Sequence, residues 1–247
     1  MCSFNIIQYH SKILRIFDAR KIKVNNTQCL QSQNQRFCGI FRRLANIQNN
    51  LSKEIIEVDS FKDIKSVAGV DISFSRDNFA IAAAVVIDFI TLEVLEEKTL
   101  EVELLFPYIS GFLGFREADA IISVLKILEN NFEVLMVNGH GIMHPRGFGL
   151  ASHVGLLINM PTIGVAKRLI GGNYKFYDDN LLRVIKFNGK SVGACNNQKC
   201  VSIGHKISLK SALNIVEKTS IFKMPEPLRK AHILATNSMK SKLSEYG

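Results

Sequence analysis

Six residues of this chain combine reactive side chains with surroundings suited to chemistry: Asp71, Glu117, His140, His144, Arg146 and Lys167. Asp71 sits inside the apolar run VAGVDISF, residues 67–74. A carboxylate there must be paired, bound to a metal, or placed at a solvent-reaching strand end, because burying it alone is costly. His144-Pro145-Arg146 supplies a titratable ring and a cation, and Lys167 a second cation. A second acid on a strand beside Asp71 would make a Mg²⁺ site for phosphoryl chemistry. A zinc site at His140 and His144 is disfavoured, because a four-residue spacing aligns ligands only on a helix and glycines flank His140.

The elements that must position these residues follow from hydrophobic spacing. Val134 to Val137 is a short buried strand that stops at Asn138-Gly139-His140-Gly141, two glycines where the backbone bends or approaches something closely. Leu150, Val154, Leu157 and Ile158 then recur at helical spacing, and a second strand runs from Thr162 to Ala166. This puts the polar cluster at the C-terminal end of a strand, where open α/β sheets carry their sites. Upstream, residues 67–74, 80–88 and 93–103 read as three antiparallel strands with short turns. A helix follows from about Leu113 to Glu129, on which Glu117 is either at an exposed start or aimed into a site.

Three antiparallel strands, a helix, a strand, a helix and a strand give an α/β, ribonuclease-H-like mixed sheet flanked by helices. In that arrangement the first and fourth strands are neighbours, which brings Asp71 beside position 138. Acids at both positions would hold Mg²⁺. A helix is expected from Phe41 to about Val58. In the last third, residues 187–194 and 199–203 read as strands with a turn at Asn188-Gly189, Ser208 to Glu217 as a helix, and Pro225-Glu226-Pro227 as the start of a final helix.

A length of 247 residues with 47% hydrophobic content suits one sizeable α/β domain. The net charge of +9 favours a polyanionic partner such as nucleic acid. Much of it comes from residues 1–50, which hold eight Lys and Arg against one Asp. Residues 1–40 are expected to be a poorly ordered basic extension, with a short amphipathic piece from Ile6 to Ile16, and residues 41–247 the catalytic domain. Five cysteines without a CxxC pair point to free thiols in a reducing compartment, a Cys195–Cys200 bridge being the lesser reading. No apolar run approaches the roughly 20 residues a membrane helix needs. A cytoplasmic, monomeric protein is expected.

Six segments in order, GVDISF, PYISGFLGFRE, NGHGIMHPRGFGLASHVG, PTIGVAK, VSIGHKISL and MPEPLRKAH, resemble the endonuclease V family, the deoxyinosine 3′ endonucleases of DNA repair. The resemblance covers roughly residues 42–240. It implies cleavage of the second phosphodiester bond 3′ to deoxyinosine, a deaminated adenine and a form of DNA damage, with Mg²⁺ or Mn²⁺. By the same resemblance Asp71 is a metal-binding carboxylate, Glu117 the acid of the FRE segment, Lys167 a cation near the scissile phosphate, and His232 the final-helix member of the site. Pro107, Tyr108 and Ile109 match a wedge beside the lesion, where an aromatic ring can fill the gap left by a flipped base. Gly111, Gly139 and Gly141 match backbone around the hypoxanthine, with His144 and Arg146 in the same substrate-binding region. Position 138 departs from the family, which has a metal-binding aspartate there; this chain has Asn138. Three expectations follow: an attenuated deoxyinosine endonuclease, an inosine-binding protein that has lost cutting, or an endonuclease for inosine in RNA.

Overall fold

The computed structural model describes residues 35–75, 79–171, 174–179 and 182–245. The expected amphipathic piece at 6–16 lies outside them. In chain order the helices are α1 (Gln35–Leu51), α2 (Leu113–Leu125), α3 (Leu150–Ile158), α4 (Leu209–Lys218) and α5 (Glu226–Glu245). The strands are β1 (Ser66–Phe74), β2 (Phe79–Asp88), β3 (Val94–Glu103), β4 (Val134–Asn138), β5 (Thr162–Ala166), β6 (Lys175–Asp179), β7 (Leu182–Phe187), β8 (Lys190–Cys195) and β9 (Cys200–His205).

The nine strands of the described residues form one sheet in the order β3-β2-β1-β4-β5-β9-β8-β7-β6. The first three are antiparallel neighbours, β1-β4 and β4-β5 are parallel, and the remainder are antiparallel. This is the mixed, ribonuclease-H-like arrangement expected from the element order. Parallel strands need both faces covered. Ala118, Ile121 and Val124 of α2 and Leu150 and Val154 of α3 cover one face, packing on Ala68, Val70, Leu135 and Val137. Ile215 of α4 and Leu228 and Ala231 of α5 cover the other, against Val67, Met136 and Ile163. Two helices therefore clamp each side of the strands that carry the polar cluster.

Helix boundaries moved where side chains from elsewhere captured the backbone. The helix expected to reach Val58 stops at Leu51, followed by one 3-10 turn. Beyond it Ile56 N–H donates to His205 Nδ1 at 3.3 Å and Ile56 C=O accepts from Lys206 N at 2.6 Å, which holds the chain extended along β9. At its other end α1 begins at Gln35, earlier than the spacing placed it. Helix α2 ends at Leu125 rather than Glu129, because the Glu96 carboxylate of β3 accepts the backbone N–H groups of Glu129 and Asn130.

The last third contains two strands, β6 and β7, that hydrophobic spacing did not reveal. The turn at Asn188-Gly189 is where it was expected, with φ of 49° and 79°, the left-handed pair that a two-residue hairpin needs. The free-thiol reading of the cysteines is corrected: Cys195 and Cys200 form a disulfide. They are register partners at the end of the β8–β9 hairpin, with Cα atoms 4.0 Å apart and both side chains buried. Cysteine counting cannot see a cross-strand pair; register creates it. Among the described residues no helix is long and apolar enough to cross a membrane.

Candidate active site

The parallel register of β1 and β4 pairs Val70 with Val137, so the next residue on each strand, Asp71 and Asn138, meets at the sheet's C-terminal edge. Asn138 Nδ2 donates to Asp71 Oδ1 at 2.9 Å. The other carboxylate oxygen, Oδ2, lies 2.6 Å from His232 Nδ1. His232 reaches it because the start of α5 is pressed onto β1. A Cβ on Gly69 would stand 2.3 Å from the Pro227 carbonyl carbon, so only glycine admits the helix this close. Asp71 is 8% exposed, and each of its carboxylate oxygens has one of these neighbours, so the strand-borne carboxylate is paired.

Glu117 points inward from the first turns of α2 and is 7% exposed. Burial pushes its carboxyl up to about 8; the Arg116 cation opposes the rise and the Asp71 charge adds to it. The inward option for Glu117 is therefore the observed one, and burial favours its neutral form. Lys167 stands one residue past β5, whose Val165 is in register with Asn138, and it is exposed. Asp71, Asn138, His232 and Glu117 thus gather at one sheet edge, with Lys167 at the same edge on the next strand.

The loop from Gly139 to Gly149 is packed rather than open. Gly139 N–H donates to Val165 C=O, Gly141 N–H to Ser202 Oγ, and Ile142 N–H to Ile203 C=O. A Cβ on Gly141 would fall 1.8 Å from Ile203 O, so this glycine is required by β9. Gly111, at φ 80°, turns its carbonyl to accept from Gln48 Nε2 at 3.0 Å and from Arg146 Nη2 at 2.5 Å. Arg146 Nε also donates to Gln48 Oε1 at 2.6 Å, and its guanidinium lies 4.4 Å above the Phe112 ring. Arg146 therefore ties the loop after β4 to α1 and to the segment before α2.

His144, 3% exposed, has its ring pushed down to about 3, chiefly by burial, then by the Arg146 and His140 charges; a bond to the Gly111 backbone opposes this. His140 is pushed down to about 4 by burial, against a bond to the Arg168 backbone. Both rings are neutral in the folded protein. His153 is packed edge-on to Phe115 with ring centroids 5.1 Å apart. Pro107 and Ile109 are half-buried, whereas Tyr108 is 61% exposed. Gln48 was missed by sequence reasoning. It is 1% exposed and also donates to Phe148 C=O at 3.0 Å. Its signal was available, a polar residue four positions from Leu44 on the apolar stripe of α1.

The profile of the Endonuclease V family matches residues 49–233, three quarters of the chain. The chain belongs to the endonuclease V family. Endonuclease V of Dictyoglomus thermophilum is 39% identical over 208 residues, 81% of this chain and 91% of that protein. The crystal structure of the catalytic domain of human Endonuclease V superposes with a TM-score of 0.76 at 29% identity, covering 83% of this chain and 97% of that one. Endonuclease V of Ciona intestinalis, in complex with a 24mer DNA containing an inosine followed by a ribo-adenosine, superposes with a TM-score of 0.73 at 27% identity, over 81% and 98%.

A divalent cation is the natural complement of such an edge, and its fit can be judged from the donors. Among the described residues no group of three His, Cys, Asp or Glu could hold a metal ion. What Asp71 and Asn138 offer is one carboxylate and one amide oxygen. That suits a Mg²⁺ ion which keeps most of its waters and takes further oxygens from a phosphate, provided the Asn138 amide turns its oxygen inward. Glu133, the nearest acid in sequence, is committed elsewhere: its carboxylate accepts from Lys65 N and Ser66 N at the opposite end of β1.

Proposed function

We propose that this chain is an inosine-directed endonuclease acting on deoxyinosine in DNA, with its hydrolytic rate held down by Asn138. The observation that carries the reading is the convergence of Asp71, Asn138, His232 and Glu117 at one sheet edge of an endonuclease V fold. The inosine-containing DNA held by the Ciona relative supports the choice of substrate.

In this reading Asp71 and Asn138 hold Mg²⁺, or Mn²⁺, which when bound neutralises phosphate charge and supplies an activated water. The chain's own residues do the rest. His232 orients the Asp71 carboxylate through Oδ2. Glu117, protonated at neutral pH, donates a hydrogen bond or a proton at the reacting phosphate. Lys167 stabilises charge that develops on the phosphate oxygens. Tyr108, on the exposed Pro107–Ile109 segment, fills the gap beside the flipped base. The loop glycines Gly111, Gly139 and Gly141, with His144 and Arg146 behind them, form the wall that the hypoxanthine meets. Catalysis resides in residues 41–247, the basic segment 1–40 contributing affinity only.

The test is single-turnover cleavage of deoxyinosine duplex and inosine RNA in Mg²⁺ and in Mn²⁺, wild type beside Asn138→Asp. Wild type should cut the inosine strand and spare its adenine counterpart. The aspartate variant should be faster by about 10- to 100-fold, the range for losing a supporting metal partner. Absence of cleavage by both proteins would end the nuclease reading. Cleavage by the variant alone would establish the second reading, an inosine-binding protein, which the Asn138–Asp71 hydrogen bond favours because it closes the carboxylate onto the chain itself.

A further inference from the structure

Charge is unevenly distributed along the folded chain. Residues 51–150 hold eight Lys and Arg against sixteen Asp and Glu, whereas residues 151–247 hold fifteen against five. The sheet order turns that sequence asymmetry into a spatial one. Strand β3, with Glu96, Glu97, Glu101 and Glu103, forms one edge, and β6 forms the other.

At the β6 edge Lys175 and Lys186 are register partners. Like charges directly opposite on a sheet repel, and a fold that keeps them gains nothing from the pair itself. Tyr177, two residues on from Lys175 and thus on the same face, is 48% exposed, with Lys186 Nζ 4.3 Å from its ring centroid. Two cations in register beside an exposed ring are the elements of a strand-binding platform, cations for phosphates and a ring for a base. Asp178 and Asp179 follow at the turn end of β6, which leaves the Lys175 end as the basic one.

We infer that the Lys175–Lys186–Tyr177 face of the β6–β7 ribbon is an accessory contact for an unpaired stretch of the nucleic-acid strand whose scissile phosphate lies at Asp71. This deepens the proposed function and rests on it. Strands are about 4.8 Å apart, and β6 is the sixth strand along from β1, so the ribbon lies about 29 Å from the cleavage edge. With phosphates spaced about 3.4 Å along a stacked strand, that corresponds to about nine nucleotides. The ribbon therefore engages long flanks and ignores short ones.

The experiment measures binding of single-stranded inosine oligonucleotides by fluorescence anisotropy across a salt series. One set carries flanks of about four nucleotides on each side and another about fifteen. Wild type, Lys175→Gln/Lys186→Gln and Tyr177→Ala are compared, with thermal melting as the folding control. For the long set the double variant should lose at least about tenfold in affinity, and its salt slope should fall by about 1.4, the share of two phosphate contacts on a single strand. Tyr177→Ala should lose about fivefold or more. The short set should not distinguish the proteins, and the double variant should melt no lower than wild type, since it relieves a repulsion. Equal affinity and slope on the long set would overturn the inference and leave the nuclease reading intact. Failure of wild type to bind either set would overturn both.

Discussion

Strands β1 and β4 meet at Asp71 and Asn138, which are paired with each other, whereas at the far edge of the same sheet Lys175 and Tyr177 of β6 stand exposed. In the first region Asp71 spends both oxygens on Asn138 and His232, Glu117 is held toward its neutral form, and Arg146 is committed to Gln48 and Gly111. In the second, Lys175 faces Lys186 across the ladder. Burial makes each polar group of the first region expensive to leave unmatched, so its geometry is fixed; exposure lets the second keep like charges opposite one another at little cost.

The sharpest way to separate the two regions is Asp71→Ala. We expect cleavage to fall by about 10³-fold or more, about 4 kcal/mol in the barrier, with binding of long oligonucleotides retained. Single-turnover rates and anisotropy on the same protein check this, and a wild-type rate would remove Asp71 from the chemistry. Next is Arg146→Ala, which deletes two charge-assisted hydrogen bonds and the contact with Phe112. It should cost about 3 kcal/mol in urea unfolding, where an exposed lysine of the ribbon would cost almost nothing. A loss below about 1 kcal/mol would mean that the loop does not depend on this tie.

The disulfide tests the ribbon side. Closing so short a loop contributes about 2 kcal/mol by chain entropy, so Cys200→Ser should lower unfolding free energy by about that much, and dithiothreitol should lower wild type equally. Identical melting of oxidised and reduced protein would contradict it. The smallest effect is graded by pH. His140, His144 and His205 are held neutral by burial in the fold but titrate near 6.5 when unfolded. Because their folded values are depressed, the unfolded chain takes up more protons as pH falls. Stability should therefore decline from about pH 6.5 down toward 4, by up to about 1.4 kcal/mol per pH unit for each ring. His144→Gln should flatten that decline if it folds, and an unchanged slope would exclude His144 as a contributor.

The site-bearing half was legible because its strands are apolar runs ended by glycine or charge. VAGVD, VLMVN and TIGVA each read as buried strands, and their order alone placed Asp71 beside position 138. The ribbon half was not, because KFYDD and LRVIKF mix charge into every position that alternation would use, and their strand character comes from pairing with each other and with β8. Gln48 and the ends of α1 and α2 escaped for a related reason: each is decided by a partner at least 30 positions away in the chain. The six quoted segments identified the family, yet they were silent on whether Glu117 faced solvent or the site. Only the docking of α2 on the sheet settles that.

The fit of the Pro227 backbone against Gly69 also has a consequence for timing. Asp71 precedes His232 by 161 residues, so the helix that brings this neighbour leaves the ribosome well after β1. A growing chain can assemble β1 to β5 and fold around them while Asp71 still lacks this neighbour. The pairing at this edge is thus completed only when α5 has emerged, and a shorter nascent polypeptide holds Asp71 without its His232 neighbour.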